Sequence, residues 1–144
     1  MLGLVDAGHA EYGPSVTSAL ITPVACAVPG RAAGAPALSG ALKVKIANDS
    51  RIATIYGRTD VEEAFFCNYE LNAKFVDHFT AGALRFTGRG EHDEVRVAEL
   101  SDRRFYLATL FLPQLASTPT APHPVIVAFV RAVTAFAASR LRPS

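Results

Sequence analysis

The fold is decided by residues 105–119, which read FYLATLFLPQLASTP. The first part, Phe105 to Phe111, is an apolar run rich in aromatic and branched residues, and this composition predicts a buried central strand. Pro113 then ends the strand, because proline has no N–H to donate to a neighbouring strand. Ligands of α/β proteins bind just beyond the ends of central strands. We therefore expect Leu112 to Gln114 to help line any site that the protein has.

Length and charge limit the class of protein. The 144 residues carry 14 basic and 13 acidic side chains, and half of the residues are hydrophobic. This predicts one domain over residues 1–144, with no electrostatic reason to bind nucleic acid or an anionic membrane. Two cysteines, Cys26 and Cys67, are too few for a disulfide framework. Because neither a signal peptide nor an apolar run of roughly 20 residues is present, we expect a cytoplasmic protein.

Short segments of clear periodicity flank the central stretch. Strands are predicted from alternating or continuous apolar residues at 19–21, 24–28, 41–47, 64–71, 84–87 and 95–100. A short helix at 51–56 is predicted from Ser50 as its N-cap and Gly57 as its end, and Asn72 is predicted to cap a helical turn through 75–79. Residues 59–63 are interpreted as a polar loop. The proline- and glycine-rich residues 29–40 are interpreted as a flexible connector within the domain.

The chain closes on the segment with the strongest helical pattern. Pro124 suits the first turn of a helix. The apolar residues that follow share one helical face, and they are Val125, Ile126, Phe129, Val130, Val133 and Phe136. Arg140 complements the C-terminal end of the helix dipole. This spacing predicts a C-terminal amphipathic helix.

Residue chemistry alone predicts no active site. The histidines, His9, His78, His92 and His123, have no second ligand at metal-binding spacing, so we interpret them as surface residues and predict no metal. No Gly-x-Ser-x-Gly elbow or cysteine version of it is present. Cys67 lies in a predicted apolar strand, where desolvation would disfavour its thiolate. It is therefore only a weak candidate nucleophile.

Two further motifs receive structural interpretations. Glu62 and Glu63 are neighbours and would point to opposite faces of a strand, so they do not form a carboxylate pair. Residues 88–90, Gly-Arg-Gly, lack the remaining glycines and the strand-to-helix context of a phosphate-binding loop. We interpret them as part of a hairpin turn.

A set of ordered motifs carries a resemblance to a known family. The motifs are YELN at 69–72, GALRFTGR at 82–89, VAEL at 97–100, the run 105–113, STP at 117–119, HP at 123–124 and FVRA at 129–132. In order and spacing they resemble the glutaminase domain of CTP synthase, a class I glutamine amidotransferase. AEYGP at 10–14 is similar to the segment that follows the family's nucleophile helix. The resemblance is closest to the stand-alone proteins related to the CTP synthase C-terminal region.

The resemblance implies a fold and a reaction. The fold is a flavodoxin-like three-layer α/β amidotransferase fold with a central, mostly parallel sheet. It would be incomplete here, because the family's Gly-x-Cys-x-Gly elbow lies upstream of everything in this sequence. The reaction is hydrolysis of glutamine to glutamate and ammonia by a Cys-His-Glu triad, without a cofactor.

Three functional positions of the family hold unsuitable residues. The family's Phe-His-Pro-Glu segment is here 111–114, so Leu112 replaces the histidine base and Gln114 replaces the carboxylate. Neither replacement accepts a proton or supplies negative charge. The arginine that holds the substrate becomes Asn68, which has no guanidinium fork. Asn68 and Tyr69 would lie in the substrate pocket, with glutamine or a related small molecule as ligand.

These substitutions favour a pseudoenzyme with a binding or regulatory role. Two enzymatic alternatives stay open: a C-terminal fragment of a longer amidotransferase of pyrimidine nucleotide biosynthesis, or a rebuilt enzyme that uses Cys67. A purely structural role also stays open. Without an N-terminal part, Phe105 to Phe111 would have an unpaired edge and an exposed apolar face. We therefore expect a homo-oligomer, a partner chain that covers the sheet, or a rearranged sheet.

Overall fold

The computed structural model describes residues 6–13, 18–24, 39–79 and 82–140. The strands in these ranges are β1 (Ala7–His9), β2 (Ser18–Pro23), β3 (Ser39–Ile46), β4 (Asp60–Phe66), β5 (Tyr69–Leu71), β6 (Leu84–Arg89), β7 (Val95–Leu100) and β8 (Leu107–Thr109). The α-helices are α1 (Arg51–Tyr56), α2 (Val76–Phe79) and α3 (Pro124–Arg140). Single 3₁₀ turns cover Ala10–Tyr12, Ala73–Phe75 and Pro113–Leu115.

The described strands form two sheets. One has the order β4-β3-β6-β7-β8 and is antiparallel throughout, and the other has the order β1-β2-β5 with only β1 and β2 parallel. The α/β class with a C-terminal helix is confirmed. The mostly parallel pairing is wrong for the described strands. Turns of five and six residues join β6 to β7 and β7 to β8, and connections this short favour antiparallel neighbours.

In the described part of the chain, one apolar core lies between the five-stranded sheet and α1. Its buried members are Val44, Ile46, Ile52, Ala53, Val61, Val97 and Phe111. In β3 the buried valine and isoleucine alternate with exposed Lys43 and Lys45, as the sequence predicts. The alternation turns one face of β3 toward α1 and leaves the other face charged.

The ends of α1 follow the predicted capping chemistry. Ser50 lies at the N-cap, and its Oγ accepts a hydrogen bond of 3.1 Å from the N–H of Ala53. Gly57 ends the helix in the left-handed region, with φ of 66°, and its N–H donates to the carbonyl of Ala53 at 2.8 Å. A residue with a Cβ is strained in that conformation, so glycine is the suitable residue there.

The region from 59 to 71 differs from its prediction. Asp60 to Glu63 form the first half of β4 and pair with β3, so the polar loop is wrong. Burial alternates along this segment, since Val61 and Glu63 are buried while Asp60 and Glu62 are exposed. The three acidic side chains obscure this alternation in the sequence. The single strand at 64–71 is also wrong, because β4 ends at Phe66 and β5 belongs to the other sheet.

The central stretch differs from its prediction. Only Leu107–Thr109 is a strand, and it lies at the edge of the sheet, paired with β7. The chain then crosses to the opposite edge, where the N–H of Leu112 donates to the carbonyl of Ala64 in β4 at 2.9 Å. Phe111 is carried into the core by this crossing and is 1% exposed. The long central strand is therefore wrong, and its predicted burial is wrong for most of the run, because only Phe111 of residues 105–111 is buried while Tyr106 is 42% exposed.

Other predictions stand as follows. The strand at 19–21 is confirmed as part of β2, and the turn capped by Asn72 is confirmed. The hairpin is confirmed as β6 and β7, but Gly88 and Arg89 belong to β6, so their interpretation as part of the turn is wrong. Most of the predicted strand at 24–28 and of the connector at 29–40 lies outside the described residues, and Ser39 and Gly40 belong to β3. Helix α3 is confirmed. In the part of the chain that the structure describes, no helix has the length and apolar character needed to cross a membrane.

Candidate functional site

The turn Pro113–Leu115 holds the positions where the resemblance expects catalysis. Leu112, which precedes it, is half-buried and fixed to β4 by its hydrogen bond to Ala64. Gln114 is exposed. The turn therefore has a fixed backbone but presents an aliphatic side chain and a neutral amide. Neither group can act as a base at neutral pH.

The other predicted site residues are Cys67 and Asn68, which lie between β4 and β5, and Tyr69, which is the first residue of β5. The thiol of Cys67 donates to the carbonyl of Tyr69 at 3.2 Å, and the N–H of Tyr69 donates back to Sγ at 3.4 Å. The carbonyl of Asn68 accepts from the N–H of Val24 at 2.8 Å, and the ring of Tyr69 lies 4.5 Å from that of His9. Cys67 is therefore engaged with the backbone in a tight turn.

The predicted site residues form two groups, Leu112 with Gln114 and Cys67 to Tyr69, and the structure brings these groups only partly together. Leu112 bonds to Ala64, and Cys67 follows Ala64 by three residues on the same segment. Within the described ranges, no hydrogen bond joins Cys67 to Leu112 or Gln114. Among the described residues, the hydrogen bonds of the Cys67 thiol go to the backbone of Tyr69 and not to a base.

A buried cluster that the sequence did not reveal joins Tyr56, Glu63 and His123. His123 is 5% exposed, so its interpretation as a surface residue is wrong. Its Nε2 lies 3.1 Å from both carboxylate oxygens of Glu63, and the phenol of Tyr56 donates to the same carboxylate. The N–H of Val125 donates to Nδ1 at 3.2 Å, so the ring proton lies on Nε2 and is donated to Glu63.

The cluster ties three elements together, with Glu63 and His123 buried and Tyr56 half-buried. Burial is the largest cause that raises the pKa of the Tyr56 phenol, followed by its hydrogen bond to Glu63 and by the charge of that carboxylate. Tyr56 therefore remains a donor. Both ring nitrogens of His123 are occupied, which leaves none to move a proton. We interpret the cluster as a polar link between α1, β4 and the start of α3. Every second residue at the start of β4 faces the interior, and recognising this alternation in the sequence could have placed Glu63 there.

A second buried carboxylate, that of Glu99, lies at the start of α1. Its Oε2 accepts from the N–H of Arg51 at 3.1 Å, and its Oε1 accepts from the N–H of Ile52 and from the hydroxyl of Thr87, both at 2.9 Å. The first N–H groups of a helix have no partner within the helix. Glu99 therefore supplies both hydrogen bonds and a negative charge where the helix dipole favours one.

A buried ion pair holds the start of β7. The guanidinium of Arg96 donates to Oε1 of Glu94 through Nε at 3.0 Å and Nη2 at 2.7 Å, and the N–H of His92 donates to Oε2 at 2.9 Å. Burial acts to raise the pKa of Glu94, but the hydrogen bonds and the charge of Arg96 outweigh it. The pKa is therefore lowered from its ordinary value of 4.5.

This ion pair predicts a pH dependence of stability. Because the folded pKa of Glu94 lies below the unfolded value, the contribution is fully present above about pH 4.5 and is lost as the pH falls through the folded pKa. We expect Glu94→Gln to lower the melting temperature at neutral pH, and the difference from the unaltered chain to close on acidification. Thermal melts across the acid range measure this. Asp102→Asn, an exposed control, should show no closing difference, and a Glu94→Gln difference that is independent of pH would contradict the assignment.

A cavity of about 560 Å³ lies between β5, α2 and the β6–β7 hairpin. Charged groups of both signs line it, among them Glu70, Lys74, Arg89, His92 and Glu94. It adjoins β5, the strand that begins at Tyr69. Among the described residues, no three histidine, cysteine, aspartate or glutamate side chains are grouped closely enough to hold a metal ion.

Comparison with known proteins identifies the relatives. No protein-family model matches the chain. The CTP synthase of Mycobacterium avium is 34% identical over 149 residues, which cover 98% of this chain and 25% of the relative. That of Saccharolobus solfataricus is 31% identical over 133 residues, covering 92% of this chain and 25% of the relative. A Trypanosoma brucei CTP synthase glutaminase domain with bound acivicin has a TM-score of 0.82 and 26% identity, and the match covers 92% of this chain and 52% of that chain.

The chain is a homologue of the CTP synthase glutaminase domain. The resemblance drawn from the motifs is thereby confirmed, together with the amidotransferase fold class. The homologue spans about a quarter of the length of these curated CTP synthases and about half of the solved glutaminase domain.

Proposed function

We propose that this CTP synthase-like domain binds glutamine or a related small molecule without hydrolysing it. The observation that supports this most directly is the turn after β8. Its backbone is fixed to β4 through Leu112 and Ala64, while Leu112 and Gln114 stand where the resemblance expects a histidine base and its carboxylate. Thiolate attack on an amide needs a base within hydrogen-bond reach of the thiol. The turn offers none.

The positions of the charged and hydrogen-bonding side chains support this proposal. Glu63 and His123 keep an intact hydrogen-bonded pair in the closed interior, where it supports the fold. The positions that would face a substrate carry Asn68, Leu112 and Gln114 instead of charged groups. An upstream Gly-x-Cys-x-Gly in a longer protein would add a nucleophile but not a base at 112. The proposal therefore applies equally to a longer protein that contains this chain.

The rebuilt enzyme finds less support. Cys67 uses its thiol as a donor to the Tyr69 carbonyl, and its other partner is the Tyr69 N–H. A reactive cysteine instead lies beside a histidine, a cation or a helix N-terminus that lowers the pKa of the thiol. We keep Cys67 as the residue through which this alternative is tested.

We place the ligand in the cavity beside β5. Lys74, which is exposed, offers a cation to a ligand carboxylate there. Glutamine carries such a carboxylate. The Trypanosoma brucei glutaminase domain has acivicin bound, which is the basis for extending a small-molecule ligand to this chain. A cytoplasmic setting in pyrimidine nucleotide biosynthesis belongs to the same proposal.

The proposal predicts binding without turnover. We expect the purified chain to release no ammonia from glutamine above the uncatalysed rate, and Cys67→Ala to leave this result unchanged. Calorimetric titration with glutamine should show saturable binding. Ammonia release that disappears in Cys67→Ala would establish the rebuilt enzyme instead, and an absence of binding would remove the ligand role.

A further inference from the structure

Residues 112–123 form a loop whose two ends are held by neighbouring residues of β4. At one end the N–H of Leu112 donates to the carbonyl of Ala64 at 2.9 Å. At the other end Nε2 of His123 donates to the carboxylate of Glu63 at 3.1 Å. A compact segment of this length with its ends held close together is an Ω-loop, and Ω-loops are frequently functional.

The hydrogen bonds inside the loop depend on its closed ends. Backbone N–H groups donate to acceptors within the loop at Leu115, Ala116, Thr118, Ala121 and His123. Among the described residues, 113–122 form no hydrogen bond to a residue outside the loop. One 3₁₀ turn and a few turn bonds are not stable on their own in water. They should therefore be lost together when one end of the loop is released.

The two ends are not held equally. Leu112 follows Phe111, which is 1% exposed in the core, so packing and a hydrogen bond both fix this end. His123 is followed by Pro124, which is exposed. When His123 leaves Glu63, the hydroxyl of Tyr56 still donates to that carboxylate, which is therefore not left without a donor. The His123 end is the easier one to release.

We propose that the 112–123 loop opens as one unit from its C-terminal end, and that the hydrogen bond from His123 to Glu63 keeps it closed. Such an opening is a local unfolding event whose free energy lies below that of the whole domain. It displaces the turn Pro113–Leu115, so His123 is a positioning residue for Gln114. The contacts that hold the loop all join described residues, and none of them requires a surface to be uncovered.

His123 has a second role, which the test must separate from the first. It is the N-cap of α3, because its Nδ1 accepts from the N–H of Val125 at 3.2 Å and its carbonyl from the N–H of Val127 at 3.1 Å. Asparagine is a good N-cap, since its side-chain oxygen accepts the same kind of bond. Its side chain is too short to replace the ring against Glu63. His123→Asn therefore removes the bond to Glu63 and keeps the cap.

Native-state hydrogen exchange of the whole chain, followed by NMR, tests whether the loop opens as a unit. After correction for intrinsic rates, we expect the N–H groups of Leu115 and Ala121 to exchange through one common opening. This opening should be more frequent than that of the Ile46 N–H, which donates to the carbonyl of Thr59 in the core. The Leu112 N–H should stay as protected as that of Ile46. Loop N–H groups that exchange only as slowly as Ile46 would overturn the proposal, and so would a Leu112 N–H that opens with the loop.

The variant tests which contact keeps the loop closed. We expect His123→Asn to accelerate exchange at Leu115 and Ala121 together by about 10- to 100-fold, the factor for one hydrogen bond to a charged group. Only openings that break the bond to Glu63 respond in this way. His78→Asn, the same substitution at an exposed histidine of α2, is the matched control and should change neither rate. Loop exchange that does not respond to His123→Asn would overturn the proposal. Should this variant not fold, the comparison with Ile46 in the unaltered chain decides the matter.

Discussion

Replacing Glu63 with alanine is expected to lower the free energy of unfolding by about 3–5 kcal/mol. The substitution leaves the ring N–H of His123 and the hydroxyl of Tyr56 without their common acceptor. The glutamate and histidine side chains are only 4% and 5% exposed, so water cannot replace the lost hydrogen bonds. Since small domains are stable by only about 5–15 kcal/mol, the loss would remove much of the stability.

Urea unfolding of Glu63→Ala and Glu62→Ala side by side measures this effect. Glu62 is the adjacent residue of β4 but faces solvent, opposite Lys43 in β3. Its replacement should change stability by less than about 0.5 kcal/mol. The comparison holds strand, residue type and neighbourhood constant while burial changes. Equal small losses for both variants would show that the cluster does not hold α3 in place.

Interactions between residues that are close in the chain could be predicted from this sequence, whereas interactions between distant residues could not. Ser50 and Gly57 act within a few residues, so their capping of α1 was predictable. The contact between Glu63 and His123 joins residues 60 apart, and no local pattern reveals it. Composition predicted that Phe111 is buried, but not that a crossing between sheet edges buries it. Local chemistry thus located the elements better than their partners.

Family motifs add information of a different kind. Glu99 lies in the motif at 97–100 and His123 in the motif at 123–124, and both are buried polar residues that hold α1 or α3. The retained motifs therefore include residues on which the fold depends. Leu112 and Gln114 lie on or beside a turn whose backbone bond to β4 needs no particular side chain. The hydrogen bond that fixes this turn therefore does not depend on which side chains occupy positions 112 and 114.

Glu99→Ala is the second substitution with a large expected effect, a loss of about 3–5 kcal/mol in the free energy of unfolding. It removes the acceptor of two helix N–H groups, Arg51 and Ile52, and of the Thr87 hydroxyl. Glu99→Gln should cost less, because its amide oxygen can still accept the bonds made at Oε1 although the charge is lost.

A double-mutant cycle separates this local network from a general loss of packing. Thr87→Val alone should cost about 1 kcal/mol, and combined with Glu99→Ala it should add almost nothing, because the threonine has then already lost its acceptor. Glu91→Ala on the β6–β7 turn, where the carboxylate is 64% exposed, is the control and should change stability by less than about 0.5 kcal/mol. Additive losses from positions 87 and 99 in urea unfolding would show that Glu99 acts without Thr87. A loss below about 1 kcal/mol for Glu99→Ala would show that α1 does not need the carboxylate at its start.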